Sequence, residues 1–221
     1  MQSFKQYLNE GVNDPAIFKA VFLAGGPGSG KSFIVGKTAL IPMGFKLINP
    51  DPAFEAALKK AGLTMDPSDI GSEKGQAVRA SAKALTDKQM KFAIDGRLGL
   101  VIDGTGKDYE KIANQANELK KLGYDVAMIF VNTDLETALK RNKQRARSLP
   151  DAMVEKMWKD VQKNIGKFHN LFGGMMTVVD NSDGSNYEGA TMSAYKRISK
   201  WIKIKPSKPA AKAWIKSQKS S

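Results

Sequence analysis

Residues 20–36 read AVFLAGGPGSGKSFIVG. An apolar run gives way to a cluster of glycines, then a lysine and a serine, and the apolar residues resume. Continuous apolarity over 20–25 suits a strand buried on both faces of a parallel sheet. The spacing after Gly30 suits a helix over 31–40. Between them, Gly25-Gly26-Pro27-Gly28-Ser29-Gly30-Lys31-Ser32 fits G-x-x-x-x-G-K-[ST] in the strand–loop–helix context a phosphate-binding loop requires. Without Cβ atoms in the way, backbone N–H groups can converge on phosphate oxygens. The start of the following helix adds partial positive charge. Lys31 is expected to reach the β- and γ-phosphates of ATP or GTP, and the Ser32 hydroxyl to ligate Mg²⁺. Gly26, Pro27, Gly28, Ser29, Gly30 and Phe33 complete the expected nucleotide site. The alternative is a glycine-rich turn that only caps a helix.

Working outward, four more short apolar runs read as strands: 45–49, 99–103, 125–131 and 176–180. Helical periodicity separates them, over 52–61, 73–95, 108–122, 134–146, 150–171 and 186–204. Strands alternating with helices predict an α/β fold, a doubly wound and mainly parallel five-stranded sheet flanked by helices. We read residues 1–14 as an N-terminal helical or targeting segment and 15–204 as one phosphate-loop domain. Pro206 and Pro209 then open a basic tail over 205–221, with a helical turn near Trp214.

Composition narrows the chemistry. The 221 residues are enough for one α/β domain. With no cysteine there is no disulfide, thiolate nucleophile or sulfur metal site. A single histidine, His169, excludes a histidine metal cluster and is expected to be structural. The chain lacks an apolar run long enough to cross a membrane, and residues 1–11 lack a signal-peptide core, so an intracellular, cytoplasmic protein is expected. The net charge is +13. Most of that excess follows Glu188, where nine lysines and arginines occur without an acidic residue. Such a tail suits nucleic acid, an anionic surface or plain solubility.

Two strand ends carry the residues that would decide the reaction. In open parallel sheets, ligands sit at the carboxyl ends of strands. Asp51, in Ile48-Asn49-Pro50-Asp51, falls there after the second strand. It is either a base for an attacking hydroxyl or the N-cap of the helix near Pro52. Val101-Ile102-Asp103-Gly104-Thr105-Gly106-Lys107 ends the third strand. Asp103 suits a Mg²⁺ or substrate ligand there, and Thr105 and Lys107 suit substrate contacts; an ordinary turn with Asp108 as cap is the alternative. The basic run 140–147 is either a solvated helix face or a lid bringing arginines onto the γ-phosphate. Met153, Met157 and Trp158 lie at helical spacing and are expected in the core.

These ordered motifs, GGPGSGKS, INPD, VIDGTGK and ALKRNKQRARSLP, resemble the zeta-toxin family of phosphotransferases and the related kinase domain of phage polynucleotide kinase. The resemblance covers about residues 20–180. It implies an ATP- and Mg²⁺-dependent kinase with an alcohol acceptor. Carried over residue by residue, Asp51 becomes the base that activates the acceptor, and Lys31, Arg141 and Arg147 serve catalysis, with Arg145 near the nucleotide. Asp103, Thr105 and Lys107 become substrate residues; Asp87, after Thr86, matches a family acidic position. Asp103 and Lys107 stand where the family pattern has Glu and Arg. The acceptor implied is either the sugar of UDP-N-acetylglucosamine or a 5′-hydroxyl nucleic-acid end. A nucleic-acid-binding phage head protein with a non-catalytic loop is a third possibility. Residues 1–10, ending Leu8-Asn9-Glu10, resemble the cleaved capsid-targeting peptides of large tailed phages; an amphipathic helix packing on the domain is the alternative.

Overall fold

A computed structural model describes residues 12–144 and 148–219. Five strands, β1 (Lys19–Ala24), β2 (Lys46–Ile48), β3 (Leu100–Asp103), β4 (Asp125–Asn132) and β5 (Met176–Asp180), form one parallel sheet in the order β2-β3-β1-β4-β5. The expected strands are all present. β1 lies in the middle, so the chain winds first to one side and then to the other. That reversal opens a crevice at the carboxyl end of β1, where the glycine loop begins.

The period-2 alternation of buried strands sorts the core onto two faces. Ala20, Phe22, Leu100, Ile102, Met128 and Phe130 face one layer. Covering them are parts of α4 (Glu73–Asp95), α5 (Tyr109–Lys121), α8 (Ile165–Phe172) and α10 (Pro209–Lys219). Val21, Leu23, Val101, Ala127, Ile129 and Val131 face the other, packed on α1 (Lys31–Lys37) and α9 (Tyr187–Trp201). Trp201 is buried there. A satellite cluster of Phe54, Leu58, Ile70 and Ala82 joins α2 (Pro50–Lys60) to the short α3 (Pro67–Gly71) and α4. The remaining helices are α6 (Leu135–Lys143) and α7 (Asp151–Gln162).

Four expectations need correction. The helix read over 150–171 is two helices, broken between Gln162 and Ile165, and the Asn164 side chain at the break binds another loop. The segment read as a polar tail with a helical turn contains the eleven-residue α10. Its Ala211 is fully buried and Trp214 stacks edge-on against Phe18 at 5.6 Å, so apolar packing outweighs the lysines. The helix α3 lies where the sequence predicts none; its five residues are too few for a periodic signal. Met153 is exposed rather than core. The buried face of α7 is Val154 and Val161 instead. Residues 1–10 and the Leu8-Asn9-Glu10 pattern lie outside the described residues.

Candidate nucleotide and acceptor site

The glycine loop leaves β1 at Gly25 and enters α1 at Lys31. Gly28 and Gly30 adopt left-handed backbone, φ 76° and 74°, which L side chains rarely accept. A Cβ on Gly28 would stand 2.6 Å from the Ala138 carbonyl oxygen, and one on Gly30 would overlap the Asn181 amide. The Asn181 amide Nδ2 donates to the Ser29 carbonyl at 2.7 Å, bracing the loop from β5. The Ser29 hydroxyl is buried without a hydrogen-bond partner among the described residues, and the Ser29 N–H donates to the Gly26 carbonyl at 3.2 Å. Phe33 is half exposed and stacks edge-on with Tyr187 at 5.8 Å.

In front of the loop lies a cleft of about 490 Å³. Gly26–Phe33 line it, together with Asp51, Glu55, Asp103 and Thr105. Met157, expected in the core, lines this cleft. Lys31 Nζ forms an ion pair with Asp103, and both side chains are largely buried.

The sheet register explains the next contact. Ile48 pairs with Ile102, so the residues that follow, Asn49 and Asp103, emerge side by side. Asn49 Nδ2 donates to Asp103 Oδ2 at 2.8 Å, while Asn49 Oδ1 accepts from the Asp51 backbone N–H at 2.8 Å. Asn49 is therefore the N-cap of α2, and Asp51 is not. No hydrogen bond or ion pair engages the Asp51 carboxylate among the described residues.

A second cavity of about 310 Å³ shares Asp103 and Thr105 with the cleft. Asp87 and Lys83 from α4, Lys107 from the loop after β3 and Lys111 from α5 line it. Asp87, Asp103, Thr105 and Lys107 thus line one cavity, although they come from two separate elements. Among the described residues, Lys83, Lys107 and Lys111 have no ion-pair partner. Asp108 caps α5 through the Lys111 N–H at 3.0 Å. Asn164, buried at the break between α7 and α8, donates to the carbonyls of Gly106 (3.0 Å) and Lys107 (2.9 Å) and fixes this loop.

The arginines are less simply arranged. Arg141 lines neither cavity. Its guanidinium donates to the Asn181 carbonyl at 2.7 Å and to Asp183 at 2.9 Å, and reaches the Gly28 carbonyl at 3.5 Å. Hydrogen bonds from Lys140, and with them Arg141, hold the Asp183 carboxyl below its usual range. Arg145 and Arg147 lie outside the described residues. Asn142 receives the Leu149 N–H at 3.0 Å and donates to the Leu149 carbonyl at 2.7 Å, bringing Leu149 to the cleft. His169 is exposed on α8 and lines neither cavity.

Sequence reasoning missed four asparagines, Asn49, Asn142, Asn164 and Asn181, that staple backbone around the site. A faint signal was present. Asparagine competes with helical backbone for hydrogen bonds, so Asn142 and Asn164 inside apparent helices invite another explanation.

A glycine loop carrying Lys-Ser at the switch point of a parallel 2-3-1-4-5 sheet, with helices on both faces, is the fold of the P-loop kinases. The chain belongs to the zeta toxin family, whose model matches residues 9–190. Among solved structures it is similar to a chain of the PezAT chromosomal toxin–antitoxin system of Streptococcus pneumoniae. They are 15% identical, with 84% of this chain and 87% of that one covered and a TM-score of 0.53. A gluconokinase from Sinorhizobium meliloti 1021 is 12% identical over 84% of this chain and 96% of that one, with a TM-score of 0.50. The Pnkp1/Rnl/Hen1 RNA repair complex contains a chain 17% identical over 69% of this chain and 46% of that one, TM-score 0.52. At such identities the likeness is one of fold. No curated protein matches the chain. No helix among the described residues is long and apolar enough to cross a membrane.

Proposed function

We propose that the chain is a kinase that moves the γ-phosphate of ATP to the hydroxyl of a phosphate-bearing small molecule, with a UDP-sugar as the favoured acceptor. The observation that carries this reading is the Asp51 carboxylate. It lines the cleft of the glycine loop, and Asn49 relieves it of the capping role that would otherwise account for it. Asp51 is then available to orient the acceptor hydroxyl and take its proton. Lys31 and the loop amides hold the triphosphate. The cavity beside the cleft supports an anionic acceptor, since Lys83, Lys107 and Lys111 line it without ion partners. Thr105 and Asp87 supply polar contacts within it.

The donor set fits Mg²⁺, which prefers oxygen ligands and keeps several from phosphate and water. Ser32 and Asp103 line the same cleft. The described residues hold no cluster of three or more acidic or histidine side chains, so the protein would give only part of the shell. When bound, the ion would neutralise charge on the β- and γ-phosphates. The contacts of Arg141 with the Gly28 and Asn181 carbonyls support a bracing role for it. Neutralisation at the transferred group is then assigned to Arg147 and a nucleotide contact to Arg145, as the family resemblance implies.

The test is transfer of label from γ-labelled ATP to UDP-sugars and to 5′-hydroxyl oligonucleotides. We expect label in the sugar nucleotide, and its loss by at least ~10²-fold in Asp51→Ala with nucleotide affinity within about threefold. Equal turnover by Asp51→Ala would remove the base assignment. Label in the oligonucleotide alone would make the chain a polynucleotide kinase. Label in neither would favour a binding protein with a non-catalytic loop.

A further inference from the structure

Asn49 lies in the INPD motif, where the sequence reading gave a role only to Asp51, yet its side chain is bonded to both halves of the site. Its amide nitrogen holds Asp103, the partner of Lys31, and its amide oxygen holds the first turn of the helix bearing Asp51. The resulting chain of contacts runs Lys31–Asp103–Asn49–Asp51 backbone. It joins the phosphate-binding lysine to the free carboxylate across two strand ends. A primary amide accepts from the helix N–H with its oxygen and donates to the carboxylate with its nitrogen, using two separate atoms. Aspartate would keep the cap with no donor, and serine would keep it with a shorter side chain whose single oxygen must both accept and donate.

Resting on the kinase reading above, we propose that Asn49 is a positioning residue. It fixes the separation between the group that binds phosphate and the group that receives the acceptor's proton. Asp103 needs such support, because it faces Lys31 on one side and the acceptor cavity on the other. Unsupported on the β2 side, it is free to turn with Lys31 whenever the lysine changes partner. A displacement of about 1 Å at such a site costs transfer on the order of 10²-fold, since reaction requires the oxygens to be nearly in contact.

Three variants separate this role from capping. Asn49→Ser and Asn49→Asp keep the cap; Asn49→Ala removes cap and bridge together. In the labelled-acceptor assay we expect both cap-retaining variants to lose at least tenfold in kcat, with KM for ATP within about threefold. The thermal midpoint of Asn49→Ser should stay within about 2 °C of wild type, while that of Asn49→Ala falls; that of Asn49→Asp falls as well, because a second carboxylate then faces Asp103. Wild-type kcat in Asn49→Ser and Asn49→Asp, with a fall only in Asn49→Ala, would reduce Asn49 to a cap. Crystal structures of wild type and Asn49→Ser decide the matter even if no acceptor is labelled. Movement of the Asp103 or Asp51 carboxylate by about 1 Å supports positioning whatever the chemistry. Both carboxylates unmoved would overturn the proposal while leaving the kinase reading intact.

Discussion

At the scale of single residues, the glycine loop is where sequence and geometry agree most closely. The spacing of Gly25, Gly30, Lys31 and Ser32 is a local constraint on backbone shape, and local constraints are written in consecutive residues. Its support is not local. Asn181 stands 151 positions after Gly30, yet occupies the space a Cβ on Gly30 would need. Gly30→Ala must therefore strain a left-handed residue and push aside an amide that holds Ser29. We expect a stability loss of about 1–3 kcal/mol and a fall in nucleotide affinity of at least about tenfold. Urea unfolding and nucleotide titration measure the two; unchanged affinity would mean that the loop tolerates a different path. Asp51 was legible as a cleft acid but not as a free one, because its neighbour Asn49 competes for the cap and residue type alone does not say which wins. The role of Arg141 was least legible, since its direction depends on Asp183 and the Asn181 carbonyl, brought near by sheet pairing.

At the scale of elements, the strands were legible because each is a short apolar run between breakers. Helix continuity was not, because the periodicity of 150–171 passes smoothly over the break. What stands at the break is visible only in three dimensions. The Asn164 side chain there holds two carbonyls of the loop after β3, the loop that contributes Lys107 to the proposed acceptor cavity. Asn164→Ala leaves those buried carbonyls without their donor. We expect a loss of about 1–3 kcal/mol and a KM for acceptor raised at least about threefold, with KM for ATP unchanged. Equal increases in both KM values would mean that the variant loosens the whole site and not this loop. The helix α10 was hidden for a related reason. Its lysines belong to the basic run after Glu188, while Ala211, Trp214 and Ile215 pack it on the core. Gly123 accommodates that packing: a Cβ there would stand 2.7 Å from the Ala211 nitrogen.

At the scale of the molecule, the two ends of the sheet do different work. The carboxyl ends bear the cleft; the amino ends bear a clamp. Lys19, at the first position of β1, is almost fully buried, pairs with Asp125 at 2.7 Å and lies 5.1 Å from the centre of the Trp201 ring. Lys208, just before α10, reaches the same carboxylate at 3.3 Å and the Tyr124 carbonyl. The clamp thus ties β1, β4, α9 and the approach to α10 together. Burial pushes the Asp125 carboxyl upward, but the hydrogen bonds and charges of Lys19 and Lys208 outweigh it and leave it below its usual range. A carboxyl lowered by folding stabilises the protein above its unfolded pKa of about 3.9 and loses that contribution as pH falls through the folded value. Wild type should therefore lose stability on acidification below about pH 4 more steeply than Asp125→Asn, which has no such proton to take up. Near pH 7 the same variant leaves Lys19 buried without its carboxylate, at a cost of about 2 kcal/mol, less than for a fully buried pair because Asp125 is partly exposed. Since β1 spans six residues, the clamp lies roughly 20 Å from the cleft, and kcat and KM measured well below the unfolding midpoint should match wild type. Unfolding midpoints from pH 3 to 8, set beside kinetics at 25 °C, check both halves. Equally steep acid loss in the variant would remove Asp125 from the titration, and a fall in kcat would show that the clamp and the cleft are coupled through the sheet.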